Sequence, residues 1–526
     1  MLDEQKWDDE ADIVVVGYGS AGAVAAIEAR DMGADVLLLE KMPDPGGLSI
    51  VSAGGIRIAS DAGAALLYLE NTCGGRTPLD VLRVLAEGMT EIGEFVHRLA
   101  ATIDARVKIS PAVGNYPFAG YESLGYCEIA EVPSLQGASG FHAVRTIGGG
   151  ARLFAVLDSN VRARNVRVAS NAVAQRLVLG AERTVHGIRA TIEGVPRTIR
   201  ARKGVILTCG GFEANEDMKR QNFQAMPVLT GSFLGNTGDG IAMAQHAGAA
   251  LWHMWHYHGP YGLAHPDPDF PFAFYLKAVP MWTPGNGEEV SDLGIIDAAG
   301  KPVAQKTLAR MAWIVVDQTG RRFMDEYPPY PGDTGCRPFD VYDFKLQRFP
   351  RNPAYMIFDD AGRRMYPIGR SAINDRRWRY DWSADNQKEV EMGFFKRADS
   401  IAALAHRIDV DATELERTVS AWNGAVATGH DARFGRRAES MVPLATPPYY
   451  AARVHPVVIN TQGGPRHNEW QQVLDPFDQP IPRLYAAGEL GSVFGHVYMS
   501  GGNLAECFVG GWTAARHAAG LADWSD

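Results

Sequence analysis

Cysteine is scarce in this chain: five residues in 526, at Cys73, Cys127, Cys209, Cys336 and Cys507. They are odd in number, widely spaced and never form Cys-x-x-Cys, which argues against a disulfide framework, a zinc knuckle or a redox dithiol. Reduced thiols in a cytoplasm are the expected state. A basic excess is missing too. Lys and Arg total 51 against 61 Asp and Glu, a net charge of −10, so nothing electrostatic points to nucleic acid or an anionic membrane as partner. No apolar run approaches the roughly 20 residues that a membrane-spanning helix needs. The acidic opening Met1–Glu10 lacks the apolar core of a secretory leader, which fits a cytoplasmic location.

Glycine, by contrast, is abundant, and it is placed in patterns. Ile13–Val16 is a four-residue apolar run that suits a strand buried on both faces. It leads into Gly17-Tyr-Gly19-Ser20-Ala21-Gly22 and an Ala-rich helix, Ser20–Met32. Gly17 permits a tight turn, Gly19 lets a phosphate approach the backbone, and Gly22 lets the helix lie on the strand. The helix N-terminus favours a pyrophosphate. A second strand, Val36–Leu39, ends in Glu40, placed to accept hydrogen bonds from a ribose diol and to repel a 2′-phosphate. An adenine dinucleotide is the expected ligand. Gly46-Gly47 and Gly54-Gly55 follow at once and extend that contact.

At 526 residues two domains are expected. A helix is expected over 77–104, then Tyr116, Tyr121 and Tyr126 in an irregular loop. From about Leu251 the chain turns aromatic and proline-rich (Trp252, Trp255, Tyr257, Tyr261, Phe270, Phe272, Phe274, Tyr275, Trp282), which reads as an inserted domain. Helical spacing returns over 400–424. The expected division is residues 1–250, an inserted domain over 251–440, and 441–526 returning to the first. His253, His256 and His258 alternate like metal ligands, but on an irregular Trp-rich segment packing is the better reading, and no metal is expected.

Eight motifs occur in order: the Gly17/Gly19/Gly22 turn, Gly46-Gly47, Thr208-Cys-Gly-Gly-Phe212, Thr237-Gly-Asp-Gly240, Gly320–Glu326, Pro447-Pro-Tyr-Tyr450, Ala487-Gly-Glu489 and Gly501-Gly-Asn503. In that order they resemble the succinate dehydrogenase/fumarate reductase flavoprotein superfamily over essentially the whole chain. The resemblance implies an α/β fold, with a discontinuous Rossmann-like FAD-binding domain and an inserted α+β capping domain. It implies FAD held by Gly17, Gly19, Ser20, Ala21, Gly22, Glu40, Lys41, Gly46, Gly47, Ser49, Ser52, Gly54 and Gly55. Further contacts are implied at Val173, Cys209, Gly210, Gly211, Asn236, Asp239, Gly488, Glu489, Gly502, Asn503 and Leu504. Leu48 stands where membrane members carry a tethering histidine, so FAD is expected to be non-covalent.

Fumarate-type members grip a dicarboxylate with cations, but their histidine is Asn460 here and their arginine is Met499. Tyr498-Met-Ser500-Gly501-Gly502 is instead similar to the ketosteroid dehydrogenases, closest to the Δ4-(5α) branch, with the Δ1 branch next. That likeness implies a ketone held by the Tyr498 hydroxyl and the Gly502 N–H, with Ser500 in a proton relay. It also implies a further tyrosine after the Gly320–Glu326 motif, either Tyr327 or Tyr330. Packing for Tyr498 and a helix N-cap for Ser500 are the structural alternatives. The expected activity is desaturation beside the ketone of a 3-ketosteroid or smaller cyclic ketone, by α-proton abstraction and hydride transfer to flavin N5, with an external electron acceptor. Two alternatives stand beside it: a fumarate- or urocanate-type reductase, and a flavoprotein subunit that passes electrons to a partner. The chain has no heme-attachment Cys-x-x-Cys-His for the latter.

Overall fold

The computed structural model describes residues 6–111, 115–135, 144, 147–277, 310–327, 331–371, 375 and 377–524, so Tyr330 and Trp282 lie outside the described residues. The fold is the expected α/β arrangement. Its central sheet runs Gln472–Leu474, Pro480–Ala486, Val195–Leu207, Asp9–Val16, Val36–Leu39, Arg167–Ala169, with all pairings parallel except the first. The strand Asp9–Val16 is buried along its apolar half, because a parallel sheet is covered on both faces. Register sets the site. Val16 pairs with Leu39 and with Leu207, and Leu207 pairs with Ala486, so four strands end in one row. Gly17, Glu40, Thr208 and Ala487 follow them at one rim, where open α/β sheets place their ligands.

The sheet joins both ends of the chain. Pro480–Ala486 is one of its strands, and the last helix, Gly502–Ala519, packs against the first, Ser20–Asp31. A second, mostly antiparallel sheet carries the inserted region. Its long strand Tyr449–Val458 pairs with Ala354–Asp359, Tyr261–Leu263 and Lys396–Ala398, so it draws on residues beyond 440. Trp313, Trp422, Phe339 and Phe358 fill its core. The helix expected over 400–424 is two helices, Ile401–Ile408 and Ala412–Thr428. Asp409 closes the first in the left-handed region (φ 58°), and the Asp411 side chain caps the second on the Glu414 N–H. Pro78 sits at the N-cap of Leu79–Ala101, inside the 77–104 expectation. Among the described residues no helix is long and apolar enough to cross a membrane.

Candidate active site

The rim opens into a groove. It is lined by Gly17, Gly19, Ser20, Ala21, Glu40, Lys41, Gly47, Ser49, Cys209, Gly210, Asn236, Asp239 and Glu489, all of them expected from the motifs. Gly17 holds φ +104°, and a Cβ there would meet the Thr208 carbonyl oxygen at 2.5 Å. A Cβ on Gly22 would meet Gly17 O at 1.9 Å, so the helix could not seat. That helix starts from Gly19 with no side-chain cap. The Ser20 Oγ is buried without a partner among the described residues. Uncapped N–H groups and an orphan hydroxyl suit a pyrophosphate. Glu40 accepts from the Tyr18 and Met42 N–H groups at 2.8 Å each, and burial pushes its carboxyl up. These residues fit an adenine dinucleotide.

Other expected contacts stand behind the rim. Gly46 N–H donates to Tyr18 O (2.7 Å), Ser49 Oγ accepts from Ser20 N–H (3.1 Å), and Ser52 Oγ bridges Ser49 O and Gly54 N–H. Gly55 lies against Tyr126, Gly211 against Thr461, and Gly488 against Ala21 and Cys507. Leu504 packs on the core formed by the helices Ser20–Asp31, Leu79–Ala101 and Gly502–Ala519. Val173 is a correction. Its side chain is exposed, and strand alternation turns Ala172 and Ala174 into the groove instead. Thr208, Phe233, Met243, Ala487 and Cys507 also line it, without having been singled out from the sequence as contacts. Lys41 donates to Thr237 Oγ1 (2.5 Å) and pairs with Asp239 (2.6 Å).

Thr461 leads from the groove residue Glu489 to a second cluster of side chains. Its N–H donates to Glu489 Oε1 (3.1 Å), and Asn236 Nδ2 donates to Glu489 Oε2 (3.2 Å). Burial, then the neighbouring Glu213 carboxylate, pushes Glu489 well up. The next residue, Gln462, bonds Asn503 and the His258 ring (Nε2 to Nδ1, 3.2 Å). His258 stacks on Tyr498, with ring centroids 3.8 Å apart and planes 17° from parallel. Burial keeps His258 neutral, and burial plus the charge of Asp333 pushes the Tyr498 phenol well up. Asn503 N–H reaches Tyr498 Oη at 3.4 Å, so the phenol lies at the N-terminus of the last helix.

Two expectations change at this end. The Gly502 N–H donates to Met499 O (2.7 Å), so the first-turn donor to the phenol oxygen is that of Asn503. Ser500 is no N-cap; Gly501 caps the helix, while the Ser500 N–H is held by Asn115 Oδ1 (2.8 Å). Tyr327 packs in the core of the second sheet, where the Arg437 and Arg436 charges act on it, and Tyr498 packs in the core around the last helix. The Gly320–Glu326 motif leads to Tyr327. Arg322 is buried against Glu326 (2.6 and 2.8 Å) and Asp431 (3.0 Å), which anchors the segment inside the inserted region. Exposed Arg321 pairs with Glu414.

Further residues complete the cluster, and of these Arg57, Asn115 and Glu506 carry no motif in the sequence. Arg57 is fully buried; its Nε donates to Ser500 O (2.9 Å), and its Nη2 donates to Asn115 Oδ1 (3.0 Å) and Tyr126 Oη (2.6 Å). Tyr116 Oη donates to Tyr498 O (2.6 Å). His253 Nδ1 lies 2.8 Å from Ser492 O, and His256 Nδ1 meets Phe494 O. The alternating histidines therefore hold the loop before Tyr498. Glu506 accepts from Ser492, Val493 and Asn503.

The FAD binding domain model matches residues 12–269 and 270–504. The chain is similar to the probable fumarate reductase Ifc3 of Shewanella frigidimarina, 25% identical over 96% of this chain and 74% of that protein. It is also similar to the 3-oxosteroid 1-dehydrogenase of Mycolicibacterium smegmatis, 27% identical over 98% of both. Among solved structures, the 3-ketosteroid Δ1-dehydrogenase of Sterolibacterium denitrificans shares the fold, with a TM-score of 0.76 at 24% identity over 97% of this chain and 99% of that one. With the cradle, the orphan hydroxyl and a family model spanning both ends, this chain belongs to the FAD-binding family within the succinate dehydrogenase/fumarate reductase flavoprotein superfamily, near the ketosteroid dehydrogenases, and is an FAD-dependent oxidoreductase.

Proposed function

We propose that this protein desaturates, or in reverse reduces, a carbon–carbon bond beside a ring ketone, with a 3-ketosteroid as first substrate and a smaller cyclic ketone as second. The observation that carries this is Tyr498: a buried phenol stacked on a neutral imidazole, with its oxygen at the tip of the last helix. Its hydroxyl donates to the ketone oxygen, and the helix end stabilises the negative charge that gathers there when the α-proton leaves. Met499, in place of a cation, is fully buried, and Arg322 is consumed by Glu326 and Asp431. Ser500 stays in the proposal as a relay, since its peptide is pinned from both sides by Asn115 and Arg57.

FAD, when bound, supplies the two-electron acceptor for this chemistry. The groove residues hold it without a covalent link. No histidine lines the groove among the described residues, and burial holds the Cys209 thiol at about 12, too high for a ready thiolate. Acid precipitation of the loaded protein should leave the flavin in the supernatant; flavin in the pellet would reverse this.

A second reading, reduction of an enoate such as fumarate or urocanate, has Arg57 in its favour. Anaerobic flavin bleaching with a steroid and cyclohexanone, set against reoxidation of the reduced protein by dicarboxylates, separates the two. Rapid bleaching by the ring ketones alone supports the first reading. Reoxidation by fumarate with no response to ketones would replace it by the second.

A further inference from the structure

One carboxyl at the ketone end has no part in the chemistry above. Asp333 lies in the short helix Pro331–Thr334 and is 7% exposed. Its carbonyl accepts from the Gly259 N–H at 3.2 Å, which fixes it beside the strand Tyr257–His258, and His258 stacks on Tyr498. The Arg57 guanidinium acts on its carboxyl, and its own charge acts on the Tyr498 phenol. Tyr126 and Glu506 also bear on that phenol, and the Asn503 N–H bonds it. Asp333 Oδ2 is buried and has no hydrogen-bond partner among the described residues. Buried acceptors left open in this way are costly and concentrate where a site uses them.

We propose, on the ring-ketone reading above, that Asp333 is the base of the site: it takes the proton α to the bound ketone while Tyr498 holds the ketone oxygen. The C–H bond breaks and its electron pair becomes the C=C bond of an enolate. The enolate oxygen rests on the Tyr498 hydroxyl, and the proton ends on Asp333 Oδ2. No electron leaves the substrate, so the step needs no oxidant and runs in both directions. Among the described residues of this cluster, Tyr498 and Asp333 differ as bases in one respect. Tyr498 is buried beside a carboxylate that pushes its phenol well up, which suits a donor and not a base. Burial, opposed by Arg57, holds Asp333 at about 7, where a base works at neutral pH.

The test is loss of deuterium from a saturated 3-ketosteroid labelled beside its carbonyl, incubated without oxygen in ordinary water with FAD-loaded protein. Wild-type exchange should rise with pH through about 7. Asp333→Asn should slow it by about 10²- to 10⁴-fold and lose the pH limb. The flavin absorbance change on steroid binding should persist in that variant, and Asp333→Glu should recover part of the rate. Exchange by Asp333→Asn at the wild-type rate, or a wild-type profile flat across that range, overturns the assignment. If Asp333→Asn does not fold, the wild-type profile and Asp333→Glu decide it. Flavin bleaching without exchange in the wild type removes the base and leaves the ring-ketone reading standing. Neither bleaching nor exchange with any cyclic ketone removes both.

Discussion

At the dinucleotide end the contacts are made by backbone: a turn through Gly17, a helix lying on Gly22, and strand ends in one row. At the Tyr498 end they are made by side chains that converge from Arg57, Asn115, Tyr126, His258, Asp333, Gln462 and Tyr498. The first is a local fold element with its own residue grammar, and it tolerates almost no added volume. The second is assembled by tertiary structure and depends on proton positions. One end should therefore fail by losing cofactor, and the other by losing chemistry while the cofactor stays.

The largest expected effect breaks the first end alone. Gly22→Val puts branched carbon where Gly17 O already lies 1.9 Å from a Cβ, so the purified protein should carry almost no flavin, read by absorbance per chain. Flavin at the wild-type ratio would show that the helix can shift.

A smaller effect sharpens the second end. Burial pushes Asp333 and Glu506 up to about 7, whereas in an unfolded chain they titrate near 4. The folded state thus binds their protons more tightly. Their contribution to stability is full below about pH 4 and is lost as pH rises through about 7. Glu506→Gln should flatten that decline in thermal melts; an unchanged slope would mean that its carboxyl is already ionised when buried.

The smallest effect returns to the groove. Lys41 and Asp239 are both partly exposed, so Lys41→Met should cost only about 0–1 kcal/mol of stability in denaturant titrations. A cost of several kcal/mol would make Lys41 part of the fold rather than of the rim.

These contrasts explain what was legible in the sequence. A positive φ and a close helix approach demand glycine at fixed spacing, so Gly17-x-Gly19-x-x-Gly22 shows its role in residue type alone. The row of groove residues follows from it, except where one position decides the face, as at Val173 against Ala172 and Ala174. The Tyr498 end leaves no such trace. Tyr498 was found through a motif, but nothing local marks Asp333 in Pro331–Thr334 or Arg57 after Gly55 as its neighbours. Nor does anything local show that the motif leading to Tyr327 is anchored by the buried Arg322, Glu326 and Asp431 cluster. Composition also does not show that the Gly502 N–H is used by a turn closing on Met499 O, which is a matter of geometry.

The most direct measurement is the anaerobic rate of flavin bleaching by a saturated 3-ketosteroid in the wild type and in Tyr498→Phe, with flavin content measured in both. Removal of one donor to the developing oxyanion should slow bleaching by about 10²- to 10³-fold at unchanged flavin content. Bleaching at the wild-type rate in Tyr498→Phe would contradict the phenol's hold on the ketone.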